Sequence, residues 1–168
     1  VLDYSQKLID VAQSKASQNG YCVNYIQSDA RSIDLPGGVF DHVIIMGNSL
    51  GYIQSTGADS EIIREAYRIL RPGGRLLVDV TDGNVVRNAF KPDSWHEIGE
   101  QIVICRRREL RGNVINAREL VMDKQTGLIR DQAYAIRLYD SESLDLLLRQ
   151  TGFRKIRIFS DFSPHSSD

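Results

Sequence analysis

The stretch Arg68-Ile69-Leu70-Arg71-Pro72-Gly73-Gly74-Arg75-Leu76-Leu77 decides the fold. Ahead of it, Ile62, Ile63, Ala66, Tyr67 and Leu70 recur at helical spacing and are expected to face inward from a helix that starts at Asp59 or Ser60. Pro72 removes a backbone donor and biases Arg71 out of the helical region, so the helix must stop there. Two glycines then allow a sharp reversal, and Arg75 to Val80 reads as a strand. Upstream, Phe40-Asp41-His42-Val43-Ile44-Ile45-Met46 holds four consecutive apolar residues, the pattern of a parallel strand buried on both faces.

Working outward, the first half alternates strand and helix. Val1-Leu2 reads as the end of a strand. Ser5 caps a helix through about Ser17, with Leu8, Ile9, Ala12 and Ala16 on one face and Asn19-Gly20 at its end. Val23 to Ile26 reads as a short strand, and Pro36-Gly37-Gly38 as a turn. This alternation predicts an α/β fold with a doubly wound, mostly parallel sheet. The second half changes character. Gln101–Leu110, Val114–Met122 and Gln132–Leu138 read as longer, more polar strands separated by Gly112-Asn113 and Thr126-Gly127. They predict an antiparallel β insert over 100–139 within one domain spanning 1–168. Ser141 caps a helix bearing Leu144, Leu147 and Leu148 that ends at Gly152, and Phe153 to Phe159 reads as a final strand.

Composition narrows the function. The formal net charge is −1, with both signs mixed along the chain, which argues against a nucleic-acid binder. Arg106-Arg107-Arg108 is the only basic cluster and reads as a solvated strand edge. No apolar run reaches membrane-spanning length and no signal peptide is visible. Cys22 and Cys105 are far apart and lack metal spacing, which fits a reducing, cytoplasmic setting and no metal.

In open α/β sheets, ligands bind beyond the carboxyl ends of the strands. Asp3-Tyr4-Ser5 follows the first strand, and an acid there can accept from both ribose hydroxyls of a nucleotide; Asp3 can equally cap the following helix. Ser28-Asp29-Ala30 follows the second, where a carboxylate can take an adenine amino group or serve as a turn aspartate. Gly47-Asn48-Ser49-Leu50-Gly51-Tyr52 follows the third, with small residues that admit a ligand close to the backbone or merely shape a loop. Their order along one sheet edge carries the information.

That order, with Leu2-Asp3-Tyr4-Ser5, Gln27-Ser28-Asp29-Ala30, the Phe40–Met46 strand and the Arg68–Leu77 corner, resembles the class I S-adenosylmethionine-dependent methyltransferases of small-molecule type. The resemblance implies a Rossmann-like fold with S-adenosyl-L-methionine as cofactor. It implies that Asp3 holds the ribose, Tyr4 packs on the adenine, Asp29 and the Ala30 backbone read the adenine edge, and Met46, Gly47 and Asn48 line the methionine end. The family's first strand and glycine-rich loop precede the position of Val1, so the chain is expected to be an inactive fragment lacking them, with backbone and apolar faces left unpaired mid-sheet.

The methyl group would point toward Asn48, Ser49 and Tyr52, the expected catalytic residues. Alignment and exclusion of water do most of the work in such a transfer, worth on the order of 7–11 kcal/mol. No Asn/Asp-Pro-Pro-Tyr/Phe element follows the third strand, so methylation of DNA bases is disfavoured and a small polar metabolite, an amine or carboxylate, is expected. Tyr52, Arg137 and Tyr139 are the candidate substrate contacts, with Arg137 either gripping a carboxylate or pairing with a surface acid. Trp95 reads as a packing anchor, His42 as structural, and His96 and His165 carry no firm role. Two other functions share these residues: a nicotinamide-dependent oxidoreductase, which the ribose acid also fits, and a fragment that self-associates through exposed sheet edges.

Overall fold

The computed structural model describes residues 1–161. The chain divides into two compact units, Val1–Ile44 with Gly57–Leu77, and Ile45–Thr56 with the segment from Val78 onward.

The first unit holds β1 (Leu2–Asp3), α1 (Gln6–Gln18), β2 (Ile26–Gln27), nearly all of β3 (Phe40–Ile45), α2 (Ala58–Ile69) and nearly all of β4 (Leu70–Val78). Ser5 caps α1 as expected, its Oγ accepting from the Leu8 N–H at 3.4 Å. Ile9 and Ala16 are buried, whereas Leu8, expected on that face, is 58% exposed. α1 is tied back by the Tyr25 hydroxyl, which donates to the Ala12 carbonyl. In α2, Ile62, Ile63, Ala66 and Ile69 form the buried stripe; Tyr67, expected to face inward, is half exposed because the stripe turns through Ile69 instead. Leu70 is extended and Pro72 follows, so the helix passes directly into β4.

β1 and β2 run parallel, Leu2 opposite Ile26 and Asp3 opposite Gln27. β3 and β4 form a second pair. The Val39 N–H donates to the Ile69 carbonyl, and Gly74 lies against the Asp41 carbonyl farther along, so these two strands also run in one direction. The parallel strands are thus two separate pairs, with no strand among the described residues joining them. This corrects the reading of Phe40–Met46 as buried on both faces: β3 has one neighbour among the described residues, and Ile44 is 61% exposed.

The second unit is built on a four-stranded antiparallel sheet, in order β5 (Asp93–Ile98), β6 (Ile102–Arg111), β7 (Val114–Asp123) and β8 (Gly127–Arg137). The expected hairpins close at Gly112 and Gly127, both with positive φ. Asp123 Oδ1 tightens the second turn by accepting from the Gln125 and Thr126 N–H groups. β5 is an addition to the expected insert. With β5 on one side and β7 on the other, β6 is an inner strand, so Arg106-Arg107-Arg108 is not a strand edge. On β7, Ile115, Ala117 and Glu119 are buried while Asn116 and Arg118 are exposed, the alternation of a sheet covered on one face. α3 (Gly83–Asn88) lies on that covered face, with Val86 and Phe90 packed against Ile115, Ala117 and Leu138. α4 (Ser141–Gln150) is capped by Asp140 rather than Ser141, in a reciprocal box with Ser143. Arg87 braces this corner through Asn84, Asn113 and Asp140. The expected strand over 153–159 does not form: Lys155 has positive φ and no strand among the described residues pairs with the segment.

Candidate functional site

The parallel register of β1 and β2 sends Tyr4 and Ser28–Ala30 off the same end of the first unit. Asp3 Oδ1 accepts the Ser5 N–H at 2.7 Å, which both holds the turn and presents the carboxylate at the strand end. The helix cap itself is Ser5, so Asp3 keeps its second oxygen unengaged among the described residues. Tyr4 is 78% exposed. Asp29 is already occupied. Arg31 Nη2 donates to its Oδ2 at 2.6 Å, and Nε and the Arg31 backbone N–H add further bonds. This grip, with Arg31 Nε and Nη2 contributing most, holds the Asp29 carboxyl at about 2. An adenine amino group reaching Asp29 must therefore share or displace Arg31, whereas the Ala30 N–H has no backbone partner among the described residues.

In the second unit, the segment after β3 is a tight loop with two consecutive left-handed residues, Gly47 and Asn48. Asp79, at the carboxyl end of β4, fixes it. Its Oδ2 accepts the Gly47 N–H at 3.0 Å, its carbonyl accepts the Asn48 N–H, and its own N–H donates to Ile45. Asn48 Oδ1 accepts the Thr81 N–H, and Ser49 Oγ donates to the Met46 carbonyl at 2.6 Å. Both side chains thus serve the loop first, and the Asn48 amide N–H groups have no partner among the described residues. Asp79 was not singled out from the sequence; its place directly after the carboxyl end of a strand is the signal that could have found it. A Cβ on Gly47 would meet nothing within 4 Å, which fits a position that a ligand can approach. Gly51 is different: a Cβ there would lie 2.3 Å from the Arg137 carbonyl oxygen. Its smallness admits the end of β8, not a ligand, and the Arg137 N–H donates to the Gly51 carbonyl.

Tyr52 stacks on Tyr134, ring centroids 6.2 Å apart, and burial followed by the neighbouring Tyr134 pushes its phenol up. Tyr134 shares its sheet face with Arg108, Ala117 and, one pair along, Arg106 and Glu119. Glu119 is 7% exposed. Arg106 Nε donates to it at 2.5 Å and Arg130 Nη2 donates to its other oxygen. Arg106 foremost, helped by Arg130, holds the Glu119 carboxyl below the usual carboxylate range. A carboxylate depressed on folding stabilises the fold above its unfolded value of about 4.3 and loses that contribution as pH falls through its folded value. In urea titrations, Glu119→Gln is therefore expected to be less stable than the parent at pH 7, with the gap closing below about pH 4. A gap that is constant with pH would show that the charge on Glu119 contributes nothing.

The register places Arg137 on the opposite face from Tyr134, together with Ala133 and Ala135. Tyr139 is buried, bridged to Asp82, and its carbonyl accepts the Gly83 N–H. Trp95, expected as a packing anchor, is 69% exposed because β5 is an outer strand and Trp95 sits on the uncovered face. His42 and His96 are exposed, and His165 lies outside the described residues. No group of three metal-ligating side chains occurs among the described residues. An open concavity of about 800 Å³ runs along the sheet beside Arg107, Asn116, Arg118 and Ala133, and none of the expected site residues lines it.

A family model described as "Methyltransferase domain" matches residues 1–74. The putative methyltransferase YqeM of Bacillus subtilis is 26% identical over 96% of this chain and 67% of its own length. The demethylmenaquinone methyltransferase of Thermus thermophilus is 34% identical, over 45% of this chain and 33% of its own. The crystal structure of an S-adenosylmethionine-dependent methyltransferase from Clostridium acetobutylicum superimposes with a TM-score of 0.76 at 14% identity, covering 89% of this chain and 61% of that one. The chain thus spans between a third and about two thirds of the length of these proteins. No helix of the described residues is long and apolar enough to cross a membrane. Residues 1–74 thus match the methyltransferase-domain family, and over most of its length the chain shares the α/β fold of that solved methyltransferase.

Proposed function

We propose that this chain forms part of a cytoplasmic enzyme that transfers a methyl group from S-adenosyl-L-methionine to a small polar metabolite rather than to a nucleic acid. The carrying observation is Asp3, held at the carboxyl end of β1 with one oxygen unengaged, in a segment that matches the methyltransferase-domain family. Asp3 would accept from the ribose hydroxyls, Tyr4 would cover the adenine, and the Ala30 N–H would meet a ring nitrogen, with Asp29 taking the amino group once Arg31 yields. Met46, Gly47 and Asn48 would line the methionine end, where Gly47 leaves room for close approach. The bound cofactor supplies an electrophilic methyl on a sulfonium.

The protein's own part is positioning. Asp79 locks the Gly47–Ser49 loop, so the Asn48 amide and Ser49 stand at fixed places for the nucleophile. Tyr52, stacked on Tyr134, shields one side from water. Arg137 and Tyr139 complete the proposed substrate contacts. The matches to methyltransferases favour this reading over the nicotinamide alternative.

The test is methyl-labelled S-adenosylmethionine incubated with the natural full-length protein and a metabolite extract. Label is expected in a small-molecule fraction and not in added DNA or RNA. Once the acceptor is isolated, Arg137→Ala is expected to raise its KM about tenfold if Arg137 grips a carboxylate; an unchanged KM would remove Arg137 from the site.

A further inference from the structure

The covered face of the four-stranded sheet carries more positive charge than its partners neutralise. Arg106 and Arg130 both bind Glu119, and Arg108 stands one pair from Arg106 on the same face. Three guanidinium groups thus answer one carboxylate. The Arg108 guanidinium makes no hydrogen bond or ion pair among the described residues, and its Nε is buried without a partner. It lies 5.9 Å from the centre of the Phe90 ring, which stabilises the cation but satisfies none of its N–H groups. A half-buried guanidinium without a counter-ion carries a desolvation cost that a bound anion would offset. The same face bears Tyr134, and Tyr134 stacks on Tyr52, four residues beyond Asn48 in the loop assigned to the methyl end.

We propose that this face, with Arg108 as anchor and Arg106 and Arg130 beside it, holds the anionic group of the substrate, a carboxylate or a phosphate, next to the Tyr52–Tyr134 stack. The assignment deepens the methyltransferase reading and rests on it for the word substrate; the anion site itself does not. Glu119 is a positioning residue here. It pins Arg106 and Arg130 in place while leaving two positive charges uncompensated. Arg137, proposed above as a separate substrate contact, is on the other face of the sheet and takes no part in this anion site.

The experiment follows the arginine Nε–H signals and the tyrosine ring signals of the natural full-length protein by NMR. Benzoate, inorganic phosphate and the neutral benzamide are titrated in turn, without cofactor. A saturable shift of the Arg108 signal with benzoate or phosphate, and none with benzamide, is expected, and the tighter of the two anions identifies the group. Arg108→Gln should weaken that anion at least tenfold. If Arg108→Gln fails to fold, Arg130→Gln, at the half-exposed end of the cluster, replaces it with a several-fold weakening expected. No saturable shift with either anion, an equal response to benzamide, or unchanged affinity in the charge-removed variant would overturn the proposal. S-adenosylhomocysteine is titrated separately, so anion binding without cofactor binding leaves this site standing and removes the methyltransferase reading, and the reverse result does the opposite.

Discussion

Gly51→Ala is expected to destabilise the fold by on the order of 3 kcal/mol. Two costs combine. Gly51 has φ of +96°, a conformation that alanine adopts only under strain. The new Cβ would also fall 2.3 Å from the Arg137 carbonyl oxygen, a rigid backbone atom. The loop cannot swing away cheaply, because the Arg137 N–H donates to the Gly51 carbonyl at 2.8 Å and Gln54 Nε2 donates to both the Gly51 and Ala135 carbonyls. For a chain of this size the loss corresponds to a Tm lower by roughly 6–12 °C. Gly47→Ala is the control. It shares the positive φ but has open space around the new methyl, so only the backbone cost of about 1–2 kcal/mol applies. Thermal unfolding followed by circular dichroism separates the two; equal losses would mean that the close approach to Arg137 does not exist in solution.

Asp3→Ala is expected to weaken S-adenosylhomocysteine binding by the natural full-length protein by about 10- to 100-fold, the worth of one or two hydrogen bonds to a charged acceptor. The same change removes the Oδ1 bond to the Ser5 N–H, so a small loss of stability accompanies it. Asp3→Asn separates the effects. Its side-chain oxygen can keep the Ser5 bond, yet it lacks the second acceptor and the charge. Asp3→Asn is therefore expected to restore stability but not affinity. Calorimetric titration of all three proteins checks this; full affinity in Asp3→Asn would make Asp3 a turn residue only.

The run Pro72-Gly73-Gly74 made the helix-to-strand transition legible because proline and glycine act locally, although the structure ends α2 at Ile69 and carries β4 from Leu70 through that run. The hairpins of the second half were legible for the same reason, Gly112 and Gly127 supplying the positive φ their turns need. β5 and α3 were missed. Asp93–Ile98 mixes charged, aromatic and apolar residues without alternation, and the six residues of α3 are too short for a periodic signal. Arg106–Arg108 was misplaced at a strand edge because a basic run gives no sign of the buried acid, Glu119, that neutralises part of it from the next strand. The same holds for Asp29. Its position after β2 could be read from the order of elements, but not its capture by Arg31 two residues on. Pairings of this kind depend on register and rotamer, which residue type and spacing leave open.

The most direct test of the methyltransferase assignment is calorimetric titration of S-adenosylhomocysteine, and in parallel NAD, into the natural full-length protein. Saturable binding of S-adenosylhomocysteine at one site, weakened in Asp3→Ala, with no heat from NAD, is the result expected. Binding of NAD instead, or of neither nucleotide, would contradict the assignment.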